Sequence, residues 1–149
     1  MMHIRTLVIL ASLFLAVPLF AKETKIYSSY ESVRQALLKN SVASVQKTSL
    51  ELASVARSKK QEAIAAKAEK VAGAANVASA RTAFAALSDE VIKFRAAVSG
   101  ERPFVAYCAM EKKSWLQPVG TQISNPYLDT AMRSCGEIVK DEAPSKHHQ

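Results

Sequence analysis

Two short stretches hold the residues best suited to chemistry: YCAMEKKSW at Tyr107–Trp115 and NPYLDTAMRSCG at Asn125–Gly136. The chain has two cysteines, Cys108 and Cys135, and each lies within three residues of a methionine, Met110 and Met132. The only other methionines are Met1 and Met2, so the interior sulfur is gathered in the last third of the chain. Thiolate and thioether donors are soft and favour Cu(I) or a related soft ion over Mg or Ca. Cys108 and Met110 are two apart and face the same side if that segment is extended. Met132 and Cys135 are three apart and share a face if that segment is helical. Trp115 could cover such a site by offering its π-face to the cation. Tyr107 and Tyr127 could supply hydrogen bonds to the donors from outside.

The same two cysteines also suit a disulfide, the usual fate of an even pair in a small exported domain. Bridging Cys108 to Cys135 would close a long loop, and loop-closure entropy puts that at about 3.5 kcal/mol. Met110 and Met132 would then be gap-filling core residues, and Trp115 a buried anchor. Spacing alone favours the disulfide over the metal, and the two exclude each other at any one moment. Nucleophilic catalysis is poorly supplied. Of three histidines, His3 sits at the start and His147 and His148 in the terminal SKHHQ. There is no HExxH, no Gly-rich phosphate loop and no Cys-x-x-Cys. A non-enzymatic role is expected.

The elements that must position these residues are mostly helical. From Ser28 to about Val98 the apolar spacing is three and four, with no proline to interrupt it. SSYE at Ser28–Glu31 reads as a capping box, followed by a stripe of Tyr30, Val33, Leu37 and Leu38. Asn40 and Ser41 break the pattern, and Val42, Val45, Leu52 and Val55 form a second stripe. Ile64, Ala68, Val71 and Ala75 form an alanine-rich third that could be continuous with the second. Gly73 and Asn76 mark a break before Val77, Ala80, Phe84, Leu87, Val91, Phe94 and Val98, a bundle seam. After Gly100 the segment around Pro103, Phe104, Val105 and Tyr107 reads as extended or irregular, and Pro118 with Gly120 as a turn. Asn125, Pro126 and Gly136 then delimit one short helix as N-cap, first position and left-handed stop. The expected fold class is all-α: an antiparallel bundle of about four helices followed by an irregular C-terminal segment carrying one short helix.

The ends bound the domain. MMHIRTLVILASLFLAVPLFAKE resembles a secretory signal: His3 and Arg5, an apolar run from Thr6 to Phe20, and Ala21 as cleavage point. Bulky Leu19 at the minus-three position leaves an uncleaved anchor as the alternative. The run is shorter than the roughly 20 residues of a spanning helix, so no stable membrane insertion is expected after cleavage. Residues 1–21 are thus read as signal, 22–140 as one helical-bundle domain and 141–149 as a disordered polar tail, in an exported, periplasmic or secreted, protein. The chain carries 20 Lys/Arg against 13 Asp/Glu, a net charge of +7. Most of the excess interleaves with glutamate on helix patterns, which reads as a solvated face. Export argues against nucleic acid as a partner.

The pattern VAYCAM…SWL…ISNPYLDTAMRSCGEI resembles an exported bacterial family catalogued as domain of unknown function 3347. The matching positions are Tyr107, Cys108, Met110, Trp115, Asn125, Pro126, Tyr127, Met132, Cys135 and Gly136. Ala80–Phe94 is also similar to that family's penultimate helical segment. Ala109 stands where the family has proline, and the spacer before Trp115 is shorter. The resemblance implies a helical bundle and a context of copper or heavy-metal efflux, with a periplasmic efflux component as partner. It makes Cu(I) carriage or buffering through Cys108, Met110, Met132 and Cys135 the leading expectation, with the Cys108–Cys135 disulfide module as the alternative.

Overall fold

The computed structural model describes residues 20–139, with side chains from Lys25 onward. Four helices come first: α1 (Phe20–Leu38), α2 (Val42–Ser58), α3 (Glu62–Ala72) and α4 (Val77–Ala97). Three strands follow, β1 (Phe104–Cys108), β2 (Lys113–Gln117) and β3 (Glu137–Val139), in an antiparallel sheet ordered β2-β1-β3. The sheet corrects the all-α expectation. Its strands hide their period because β2 buries Trp115, Leu116 and Gln117 in succession, and β3 is three residues long. The expected signal and tail lie outside the described residues, except that α1 begins at Phe20. Among the described residues no helix is long and apolar enough to cross a membrane.

Each helix break has a local cause. Asn40 takes φ 53°, and the Ser41 amide reaches back to the Ala36 carbonyl at 3.3 Å, a left-handed stop of the Schellman type. Ser41 then caps α2 by accepting from the Ser44 amide at 3.3 Å. Lys60 does the same job at φ 58°, with the Gln61 amide on the Ala56 carbonyl at 2.9 Å. The second and third helices are therefore separate, and the left-handed residue is a lysine that carries no breaker signal. Asn76 and Ser79 form a reciprocal capping box on α4 at 2.9 and 3.2 Å. The box expected at Ser28 does not exist. Nothing in FAKETKIYSS stops a helix, so α1 starts earlier and Ser28 donates instead to the Lys25 carbonyl. Ile26 joins Tyr30, Val33 and Leu37 on the buried stripe.

Consecutive helices pack against each other, and α1 and α4 also touch. Phe84, Leu87 and Val91 of α4 meet Ile26, Tyr30 and Leu37 of α1 in one core; Ala53, Ala56, Ala65 and Ala68 are the small buried residues of α2 and α3. Each fully buried large side chain contributes about 1.5–3 kcal/mol; each alanine contributes less but permits close approach. The sheet packs on α4 through β2, and its inward face adds Ala106, Cys108 and Trp115 to the same core.

A hydroxyl cluster joins the two parts. Tyr30 and Ser88 oxygens lie 2.7 Å apart, and Tyr30 accepts from the Leu116 amide at 3.2 Å. Tyr127 donates to the Ser114 carbonyl at 2.6 Å and lies 3.1 Å from Ser88. Tyrosine hydroxyls thus serve backbone groups of edge strand β2. Burial holds both phenols well above their ordinary pKa, so they remain protonated donors. Tyr30→Phe should leave the Leu116 amide without its acceptor and cost about 1–3 kcal/mol in urea unfolding. A loss under about 0.5 kcal/mol would mean the cluster is dispensable to sheet docking.

Candidate thiol site

Cys108 is the last residue of β1 and is fully buried. The chain then reverses through Lys112 at φ 53° into β2. Cys135 lies between a 3-10 turn at Thr130–Met132 and β3, its amide on the Met132 carbonyl at 3.0 Å. Because β3 pairs with β1, with Tyr107 opposite Glu137, the two free thiols meet with Sγ atoms 3.2 Å apart. Gly136 permits this approach. It takes φ 141°, and a Cβ there would sit 2.6 Å from Trp115 Cη2 and 3.1 Å from the Tyr107 carbonyl.

The connection carrying Cys135 is bolted down at several points. Buried Asn125 donates its amide to the Arg133 carbonyl at 2.7 Å and its carboxamide NH2 to the Cys135 carbonyl at 2.9 Å. Its Oδ1 accepts from the Tyr127 amide at 2.9 Å. From α4, Arg81 donates to the Pro126 and Leu128 carbonyls at 3.1 Å each, to Asp129 and to Asn40 at 2.9 Å each. From α1, Arg34 donates to the Ser124 carbonyl at 2.6 Å, and Arg133 reaches the Leu38 carbonyl. A guanidinium offers five donors in a fixed fork, which suits it to several carbonyls at once.

This bracing replaces the short helix expected between Asn125 and Gly136. Only Thr130–Met132 is helical, as a single 3-10 unit. Asn125 closes a side-chain turn onto Tyr127 rather than capping a helix. Gly136 has the positive φ anticipated for a stop, but its use is contact with Trp115.

The two thiols are unlike. Burial pushes the Cys108 thiol up, but hydrogen bonds from the Glu111 and Met110 backbone, the Cys135 thiol and the Asn125 carboxamide outweigh it, so its pKa falls below the ordinary value. The bond to Cys108, with burial and the nearby charges of Cys108 and Glu111, raises Cys135. The two thiols share a hydrogen bond and so titrate as a pair.

No family model, curated protein or solved structure matches this chain. The site thus stands on its own geometry.

The remaining expected residues fall in distinct places. Met110, in the β1–β2 turn, is 53 % exposed and Met132 is 49 % exposed, so neither fills a gap in the core. Cys108 and Met110 do not share a side, because the strand ends at Cys108. Trp115 is fully buried, meets Tyr127 edge-on with centroids 6.1 Å apart, and donates its indole N–H to Gln117 at 3.1 Å. It floors the region rather than capping it. The ring that faces a cation is Tyr127, with Lys113 Nζ 5.2 Å from its centroid; Lys113 also pairs with Glu111 at 3.0 Å. Tyr107 is half-buried on β1. Among the described residues no group of three or more His, Cys, Asp or Glu converges. A hollow of about 460 Å3, lined by Tyr27, Leu116, Pro118 and Val119 among others, contains none of the four sulfur residues. Spacing did not foretell Asn125 as a clamp, nor Arg81; in both cases the partners are distant backbone carbonyls, which leave no sequence pattern.

Proposed function

We propose that this chain is a non-enzymatic carrier or buffer for a soft metal ion, Cu(I), exported and working alongside a metal-efflux component. Cys108 and Cys135 would be the principal donors. Met110 and Met132, thioethers of the same two connections, would be the accessory ones. The carrying observation is the contact of two free thiols, one at the end of β1 and one in the connection before β3, 3.2 Å apart, with the remaining interior sulfur exposed beside them in sequence. Each cysteine-bearing segment also carries a half-exposed methionine that is not committed to the core. The donor set is all sulfur, which suits Cu(I) and gives hard cations no oxygen ligand. The resemblance of the motif to the efflux-associated family supports the same reading.

The test is Cu(I) titration of the fully reduced protein against a competing chelator. One tight Cu(I) per chain is expected, with Cys108→Ser and Cys135→Ser each weakening it by more than the roughly 10–100-fold that loss of an outer partner costs. Leucine at both methionines should weaken binding without changing the unfolding curve. If the reduced chain competes no better than the double serine variant, metal carriage is wrong.

A second reading rests on the same contact: the pair closes as a disulfide and staples the Cys135 connection to β1. Air-oxidised protein would then show no free thiols, and reduction would lower its stability by up to about 3.5 kcal/mol.

A further inference from the structure

The sulfurs differ most in how they can be reached, and this decides how a bridge between them could be opened. Cys108 is fully buried behind Ala106, Trp115 and Leu116 of the same core. Cys135 is half-buried and flanked by exposed residues, Ser134 and Glu137 among them. Thiol–disulfide exchange is an in-line displacement: the attacking thiolate approaches along the S–S axis from beyond the sulfur it attacks. Cys108 exposes no surface to such an approach, whereas Cys135 exposes part of its own. Access and the sulfur attacked govern the rate of such exchange.

We propose that Cys135 is the exchange-active sulfur of a reversible Cys108–Cys135 bridge, with Cys108 the buried leaving and resolving thiol, and that the pair's partner is an external dithiol reductant. The proposal rests on the bridge forming, not on metal carriage. In the first step the reductant's thiolate bonds to Cys135 Sγ, the Cys135–Cys108 bond breaks, and Cys108 leaves as a thiolate. The reductant's second thiolate then attacks its own sulfur in the mixed disulfide and expels the Cys135 thiolate. Two electrons pass from the dithiol to the pair; the dithiol leaves as a disulfide, and each released thiolate takes its proton from solvent. In reverse, Cys108 attacks a mixed disulfide on Cys135 and restores the bridge. The bracing of the connection by Asn125, Arg81 and Arg133 keeps Cys108 covered while this happens, so exchange needs no unfolding.

The probe is glutathione. Oxidised, metal-free wild-type protein is exposed to it briefly, quenched in acid, alkylated and peptide-mapped. Glutathione is expected on Cys135 and the alkyl group on Cys108, in at least about tenfold excess over the opposite pattern. A second measurement uses Ellman's reagent on single variants: Cys135 in C108S should react at least about tenfold faster than Cys108 in C135S. Adducts on Cys108 as often as on Cys135 in the wild type, or oxidised protein that retains both free thiols, would overturn the proposal. If a variant fails to fold, the wild-type map still decides. Failure here leaves the Cu(I) titration intact, since that is done on reduced protein, and failure of the titration leaves the exchange map intact.

Discussion

Gly136→Ala should destabilise the protein by about 3–5 kcal/mol, more than any other single methyl group added to the described glycines. Two independent costs meet at this position. A φ of 141° lies where L-residues with a Cβ pay roughly 1–3 kcal/mol. The added methyl would also overlap Trp115 Cη2 at 2.6 Å and crowd the Tyr107 carbonyl at 3.1 Å. Trp115 cannot retreat, since it is fully buried, and overpacking of a filled core costs about 1–3 kcal/mol. Gly120→Ala is the control. Gly120 also has positive φ, 77°, but open space where the Cβ would go, so it should lose only the backbone part, about 1 kcal/mol. Urea unfolding followed by the fluorescence of the chain's single tryptophan reports both. Equal losses at the two glycines would mean that Gly136 does not lie against Trp115.

The helices and the sheet were unequally legible for a physical reason. A helix declares itself through its own residues: the stripes of Tyr30, Val33 and Leu37 and of Phe84, Leu87 and Val91 are buried as their spacing says. Breaks at Asn40 and Asn76 were legible because asparagine tolerates left-handed and capping conformations. Lys60 was not, because its left-handed φ is imposed by the packing of α2 on α3 and not by any preference of lysine. The strands depend on partners far along the chain. Gln117 is polar yet fully buried, because its amide satisfies Thr121 and Gln122 and its oxygen takes the Trp115 indole. No local pattern announces that.

Charge shows the same limit. The excess of 20 Lys/Arg over 13 Asp/Glu reads as a solvated face, and for lysines such as Lys39, Lys60 and Lys70 exposure agrees. Three arginines behave otherwise, while Arg57 is exposed like the lysines. Arg34 and Arg95 are buried, and Arg81 is enclosed by the connection it holds. Their donors go to carbonyls of the irregular C-terminal part: Ser124, Pro103, Pro126 and Leu128. That segment lacks a helix or long strand to satisfy its own backbone, and an unpaired buried carbonyl is costly. Arginines on α1 and α4 supply the missing donors. The bundle therefore does more than carry the thiol site. It provides the hydrogen bonds that let an irregular chain hold Cys135 against Cys108.

Trp115→Ala is the second large effect, about 3–5 kcal/mol for emptying a fully buried indole. Trp115→Phe should cost less, roughly 1–2 kcal/mol, because Gln117 Oε1 keeps the Ser124 amide as a donor at 3.4 Å and the ring still faces Tyr127. The informative experiment combines Phe with Gly136→Ala. The atom that blocks the alanine methyl is Cη2, on the outer ring of the indole, and phenylalanine has no atom there. The double variant should thus lose about 1–2 kcal/mol less than the sum of the two single losses, a coupling available only to residues in contact. Circular dichroism in urea follows all four proteins, since the phenylalanine variants lack the tryptophan signal. Strict additivity would place the cost of Gly136→Ala in its backbone alone. Coupling of the expected size would make Trp115 the surface against which Gly136, and with it the adjacent Cys135, is held beside Cys108.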